Sequence, residues 1–79
     1  MTYQFTEKQG LYLAYIFYYT KINYKPPAEA DIQRYFQVTP PTVHQMILNL
    51  ERNGLIHRTP RQARSIKVLV PSEELPRLK

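Results

Sequence analysis

From Thr39 to Gly54 the chain reads TPPTVHQMILNLERNG, which spells out one helix together with both of its ends. Thr39 supplies a capping hydroxyl, Pro40 suits the first helical position because its missing N–H would be unpaired there anyway, and Gly54 can take the left-handed conformation that closes a helix. Val43, Met46, Ile47 and Leu50 recur at i, i+3, i+4 and i+7, so they share one face, and that face is core. Pro41, Gln45, Leu48 and Arg52 fall opposite, flanked by His44 and Asn49, with Glu51 the only acid, to one side. Amides, an imidazole and a guanidinium suit the edges of base pairs. On an arbitrary helix the same face would only be solvated, so the flanking sequence decides.

Upstream, Thr6 and Glu7 mark the start of a first helix over residues 8–22. It is apolar on two sides: Tyr12, Ile16 and Tyr19 with Leu13 form one stripe, and Leu11, Tyr15, Tyr18 and Ile22 form another. The prolines of NYKPP force the residues before them into extended backbone, so this helix ends before Lys25. A second helix over 28–36 carries Glu29 and Asp31 in its positive first turn and turns Ile32 and Phe36 inward, although Ala28 is a poor cap. Gln37 and Val38 leave only a tight turn before Thr39, so the second and third helices cross steeply as a helix-turn-helix.

After Gly54 the period changes to two. Residues 55–58 and 65–70 read as strands, the second with Ile66, Val68 and Val70 on one face and Lys67 and Leu69 on the other. The connection TPRQAR has no glycine, which argues against a two-residue primed turn and for a longer loop. The expected fold is therefore mainly α with a small β-hairpin: a winged helix-turn-helix of three helices and a two-stranded wing over residues 1–70, followed by a tail or linker over 71–79.

With 79 residues the chain makes one small domain and has no room for a large enclosed active site. Ser65 and Ser72 have no evident base, His44 and His57 read as surface residues, and Gly10 and Gly54 are the only glycines, so no phosphate loop exists. No catalytic residue, metal site or cofactor is expected. The absence of cysteine fits a reducing compartment, and no segment resembles a membrane span or a signal peptide, so the expected location is cytoplasmic. The formal charge of +5 favours a polyanionic partner. It is concentrated from Arg52 to Lys67, which holds five cations and no acid.

Double-stranded DNA is the partner these features favour. Gln45 can pair bidentately with adenine, His44 can donate to guanine N7 or to a phosphate, Thr42 can meet a phosphate or a thymine methyl, and Pro41 a thymine methyl. Thr39, Asn49, Arg52, Arg58, Arg61, Arg64 and Lys67 are candidates for the DNA backbone, with Arg61 or Arg64 at the wing tip able to enter the minor groove. The competing reading is a docking or dimerisation module of the same fold, towards which the aromatic first helix points. A third is single-stranded nucleic acid stacked on tyrosines, but these lie far in sequence from the basic segment.

The sequence also resembles the N-terminal DNA-binding domain of the LexA repressor family. The resemblance runs over about residues 5–70, through FTEKQ, KPPAEADI and TPPTVHQMILNLERNGLIHRTPRQARSIKVLV, and is most specific at Thr42-Val43-His44 and from Leu50 to Ile56. It implies a bacterial-type transcription regulator whose third helix enters the major groove while the wing touches the backbone. Gln37 stands where that family usually has glycine, and tyrosines replace polar outer positions of the first helix. No peptidase segment follows Lys79, so the family's self-cleavage is not expected of this chain. By similarity to the family's inward positions, the stripe of Tyr12, Ile16 and Tyr19 faces the core. Leu11, Tyr15, Tyr18 and Ile22 are then left as an apolar patch, the expected interface of a homodimer.

Overall fold

In a computed structural model describing residues 3–78, the chain orders as α1 (Glu7–Asn23), α2 (Glu29–Phe36), α3 (Pro40–Arg52), β1 (Ile56–His57), β2 (Lys67–Val68) and a 3-10 turn (Ser72–Glu74). Met1, Thr2 and Lys79, at the outer ends of the expected spans, lie outside the described residues.

Each helix end has a local cause. Thr6 and Gln9 form a capping box, the Gln9 N–H donating to Thr6 Oγ1 (3.1 Å) and the Thr6 N–H to Gln9 Oε1 (2.9 Å). At α3, Thr39 is the N-cap, Pro40 and Pro41 fill the first two positions, and Gly54 beyond its end takes φ 72°. Ala28 has no side-chain acceptor, but its N–H donates to the Asp31 carboxylate at 2.9 Å, so α2 keeps half of a capping box. Gln37 closes α2 at φ 55°, in the left-handed region where glycine is the usual residue. Tyr24 closes α1 in the same way at φ 60°.

The helix-turn-helix and the wing share one core. Tyr12, Leu13 and Ile16 of α1 meet Ile32 of α2, Val43, Ile47 and Leu50 of α3, and Leu55, Ile56, Ile66 and Val70 from the wing. The Tyr12 ring lies flat on Phe36, with centroids 4.1 Å apart. Met46, expected in the core, is half-buried at its edge.

The wing ladder is shorter than the alternating pattern predicts. Ile56 faces Val68 and His57 faces Lys67 in antiparallel register, and the Leu69 N–H reaches the Leu55 carbonyl at 2.9 Å. Towards the tip the ladder stops because Ser65 Oγ occupies the Thr59 backbone, accepting from its N–H (3.0 Å) and lying 3.1 Å from its carbonyl oxygen. The alternation itself holds: Ile66 and Val70 are buried, while Lys67 and Leu69 are exposed.

Beyond Val70 the chain turns back along α1. Leu75 packs against the core, and the Tyr3 N–H donates to Glu74 Oε1 at 3.4 Å. A methyl group at Gly10 would lie 2.9 Å from the Phe5 ring and 3.1 Å from Pro76, so only glycine lets both close on α1 here.

Candidate nucleic-acid interface

The outer face of α3 is held from behind. Val43, Ile47 and Leu50 are fully buried, while Pro41, Thr42, His44, Gln45 and Arg52 are exposed and Leu48 and Asn49 half-buried. Pro41, Thr42, Gln45, Met46 and Asn49 line a shallow depression along this face. Its polar groups are already tied along the helix: Gln45 Nε2 and Arg52 Nη1 both donate to Asn49 Oδ1, at 3.4 and 3.3 Å. The Thr39 hydroxyl is engaged in capping, accepting from the Thr42 N–H and sharing a 2.8 Å hydrogen bond with the Thr42 hydroxyl. His44 turns Nδ1 towards Glu29 in the first turn of α2, 3.4 Å from Oε1.

The basic wing is less uniform than its sequence. Arg58 is drawn back onto α3, its Nε 3.1 Å from Glu51 Oε1. Arg64 is drawn onto the helical body, where Nη1 lies 3.1 Å from Asp31 Oδ2, 3.2 Å from the Tyr19 hydroxyl and 3.3 Å from the Pro26 carbonyl. It is an anchor for the wing, not a cation projecting from its tip. Arg61 is exposed in the loop, at φ 64°. With Arg58, Arg64 and Glu29 it lines a cleft of about 300 Å³ between the wing loop and the start of α2. Lys67 lies elsewhere, lining with Lys21 and Phe17 a groove between α1 and β2.

Asp31 is the residue that local sequence reasoning places only as a first-turn acid. Its carboxylate accepts from the Ala28 N–H, pairs with Arg34 at 2.6 Å and reaches Arg64, and the Ala28 hydrogen bond first, then the two guanidiniums, hold its pKa below the ordinary range. Tyr19, paired with Arg64, and Glu29, paired with His44, likewise gain roles from partners distant in sequence. No short-range signal marks those pairings.

Of the four α1 residues expected at a dimer interface, Tyr15 is partly taken up inside the domain. Its ring stacks on Tyr35 with centroids 4.4 Å apart and meets Phe36 edge-on, and its hydroxyl donates to the Asp31 carbonyl at 3.4 Å. Burial, with Asp31 nearby, raises its pKa. Leu11 borders a groove with Tyr35, Phe36 and Pro76. Tyr18 is half-buried against Phe17, while Ile22 is 72% and the neighbouring Tyr24 93% exposed. The two most exposed large apolar side chains among the described residues thus sit at the C-terminal end of α1, with Tyr35 and Leu69 exposed to a lesser degree elsewhere.

A helix presented outward by a buried back, entered through a tight turn and followed by a basic hairpin, defines a winged helix-turn-helix DNA-binding domain. Residues 4–63 match the iron dependent repressor N-terminal DNA-binding domain, and the chain belongs to that family. It is also similar to the LexA repressor of Thermosipho melanesiensis, 36% identical over 70 residues that make up 89% of this chain and 35% of the repressor. With the LexA repressor of Thermosipho africanus it shares 35% identity over 66 residues, 84% of this chain and 33% of the repressor. The chain thus spans about a third of the length of these relatives. As for the iron in the family's description, no three His, Cys, Asp or Glu side chains converge among the described residues, and the chain has no cysteine. The donors present do not fit an iron site. No helix among the described residues is long and apolar enough to cross a membrane.

Proposed function

We propose that this domain is the sequence-reading part of a transcriptional regulator, with α3 in the major groove of double-stranded DNA and the wing loop against the backbone. The observation that carries this reading is the division of α3 into a fully buried back and an exposed front of Pro41, Thr42, His44 and Gln45. Gln45 reads adenine through its amide, and Thr42 and Pro41 meet a thymine methyl or the adjoining sugar-phosphate. Thr39, Asn49, Arg52 and Arg61 position the helix on phosphates, and Arg61 is the wing's foremost contact. Arg58, Arg64 and Lys67 add to the positive field. Acting on chromosomal DNA, the protein works in the cytoplasm.

Selection of bound sequences from a random duplex pool tests the proposal. Enrichment of one short motif is expected; a pool that stays random would contradict it.

A second copy pairs with the first through α1, so that two domains read a two-fold-related site. Exposed Ile22 and half-buried Tyr18 support the interface, with Leu11 and Tyr15 at its edge. Sedimentation equilibrium of the wild type beside Tyr18→Glu, Ile22→Glu is the check, and a wild type that stays monomeric at tens of micromolar would remove this part of the proposal. The competing assignment, a protein-docking module, draws on the same apolar residues. Salt separates the two, because DNA affinity falls steeply with ionic strength and apolar docking does not.

A further inference from the structure

Of the polar side chains on the front of α3, His44 is the one whose hydrogen-bonding sense depends on where its proton sits. A neutral imidazole donates at one nitrogen and accepts at the other, and a ring without a partner exchanges its proton between them. In this domain Nδ1 lies 3.4 and 3.5 Å from the two carboxylate oxygens of Glu29. An ionised carboxylate only accepts, so the hydrogen bond it can make here is from Nδ1–H, which in the neutral ring leaves Nε2 with a lone pair. The pair is held by the fold: Glu29 is the first residue of α2, and α2 and α3 are packed together through Ile32, Val43 and Ile47. The wing arginines Arg58, Arg61 and Arg64 share the cleft of Glu29, Arg58 paired with Glu51 and Arg64 with Asp31; α3 itself brings no acid before Glu51.

We infer that Glu29 is a specificity-determining positioning residue: by keeping the His44 proton on Nδ1 it makes Nε2 an acceptor, so His44 selects a base edge that offers an N–H. In the major groove that means cytosine N4 or adenine N6, and not the guanine N7 that an unrestrained histidine could also meet. The inference rests on α3 being the reading helix, but its first element is a property of the free protein. The consequence is that a residue outside the recognition helix, which itself touches no base, narrows the sequence that helix accepts.

Two measurements test it. A long-range proton–nitrogen correlation spectrum of the free protein above neutral pH is expected to show His44 with a protonated Nδ1 and a bare Nε2, and Glu29→Ala to redistribute the proton towards Nε2. Selection from a random duplex pool is expected to give the wild type a cytosine or adenine at the position lost in His44→Ala. In Glu29→Ala the preference there falls by about fivefold, roughly one hydrogen bond's worth, while the base read by Gln45 is kept. A wild-type spectrum with the proton on Nε2, or a Glu29→Ala selection identical to wild type, overturns the inference. If the wild type enriches no sequence, the DNA reading and the specificity claim both fall, while the spectrum still reports whether Glu29 sets the tautomer.

Discussion

At Asp31 one carboxylate caps α2 through Ala28, pairs with Arg34 and receives the wing through Arg64. Asp31→Asn is expected to cost about 1.5–3 kcal/mol, the range for hydrogen bonds involving a charged group, measured by urea denaturation at neutral pH. Because the folded pKa is lowered, the ionised carboxylate stabilises the fold in full above the ordinary Asp value of about 3.9 and loses that effect as pH falls through the folded value. Acid titration of wild type and variant should therefore converge at the acid end; parallel curves would mean that the carboxylate is not the source. Gln37 poses the opposite case, a side chain where its absence would be better. The left-handed conformation costs an L-residue about 1–2 kcal/mol, part of which glycine gives back through unfolded-chain entropy, so Gln37→Gly should stabilise the domain by up to about 1 kcal/mol in the same assay. Sequence exposes this position only as a glycine that the LexA resemblance leads one to expect and that is missing. The geometry accounts for it: the turn keeps the shape a glycine would favour, and glutamine bears the strain.

Elements defined by neighbouring residues are legible from sequence, and those defined by distant ones are not. The ends of α3 follow from Thr39, Pro40 and Gly54, and the break before Lys25 follows from the prolines, because each is decided within a few residues. The wing's charge is equally visible, but its allocation is not: Arg64 is taken by Tyr19 and Asp31, from the far side of the chain, and Arg58 by Glu51. The return of residues 71–78 along α1 depends on the close approach of Pro76 and Phe5 at Gly10, which no periodicity announces. This division has a measurable consequence for the wing. Each phosphate neutralised contributes a slope of about −0.9 in log affinity against log salt, so the double variant Arg61→Ala, Arg64→Ala should make the slope shallower by about one unit, from Arg61 alone. A change near two units would show that Arg64 leaves its intramolecular partners for DNA, and no change would turn the wing tip away from the duplex.

For the molecule as a whole, a small core serves mainly to hold one helix still. Tyr12, Ile16, Ile32 and the buried back of α3 support the helix that carries Thr42, His44 and Gln45, and Arg61 stays exposed on the wing loop, where the proposed complex would set it against the DNA backbone. In the proposed pairing through α1, a second copy would double the sequence read, as one such helix covers only a few base pairs. The claim that unites these parts is that the front of α3 distinguishes one base sequence from another. The most direct measurement is the affinity of Gln45→Ala for the selected duplex and for a scrambled duplex of equal length, at one salt concentration. A loss of about 1–3 kcal/mol on the selected duplex, with relaxed preference at a single base pair and no change on the scrambled one, is the predicted result. Equal losses on both, or none on either, would contradict it.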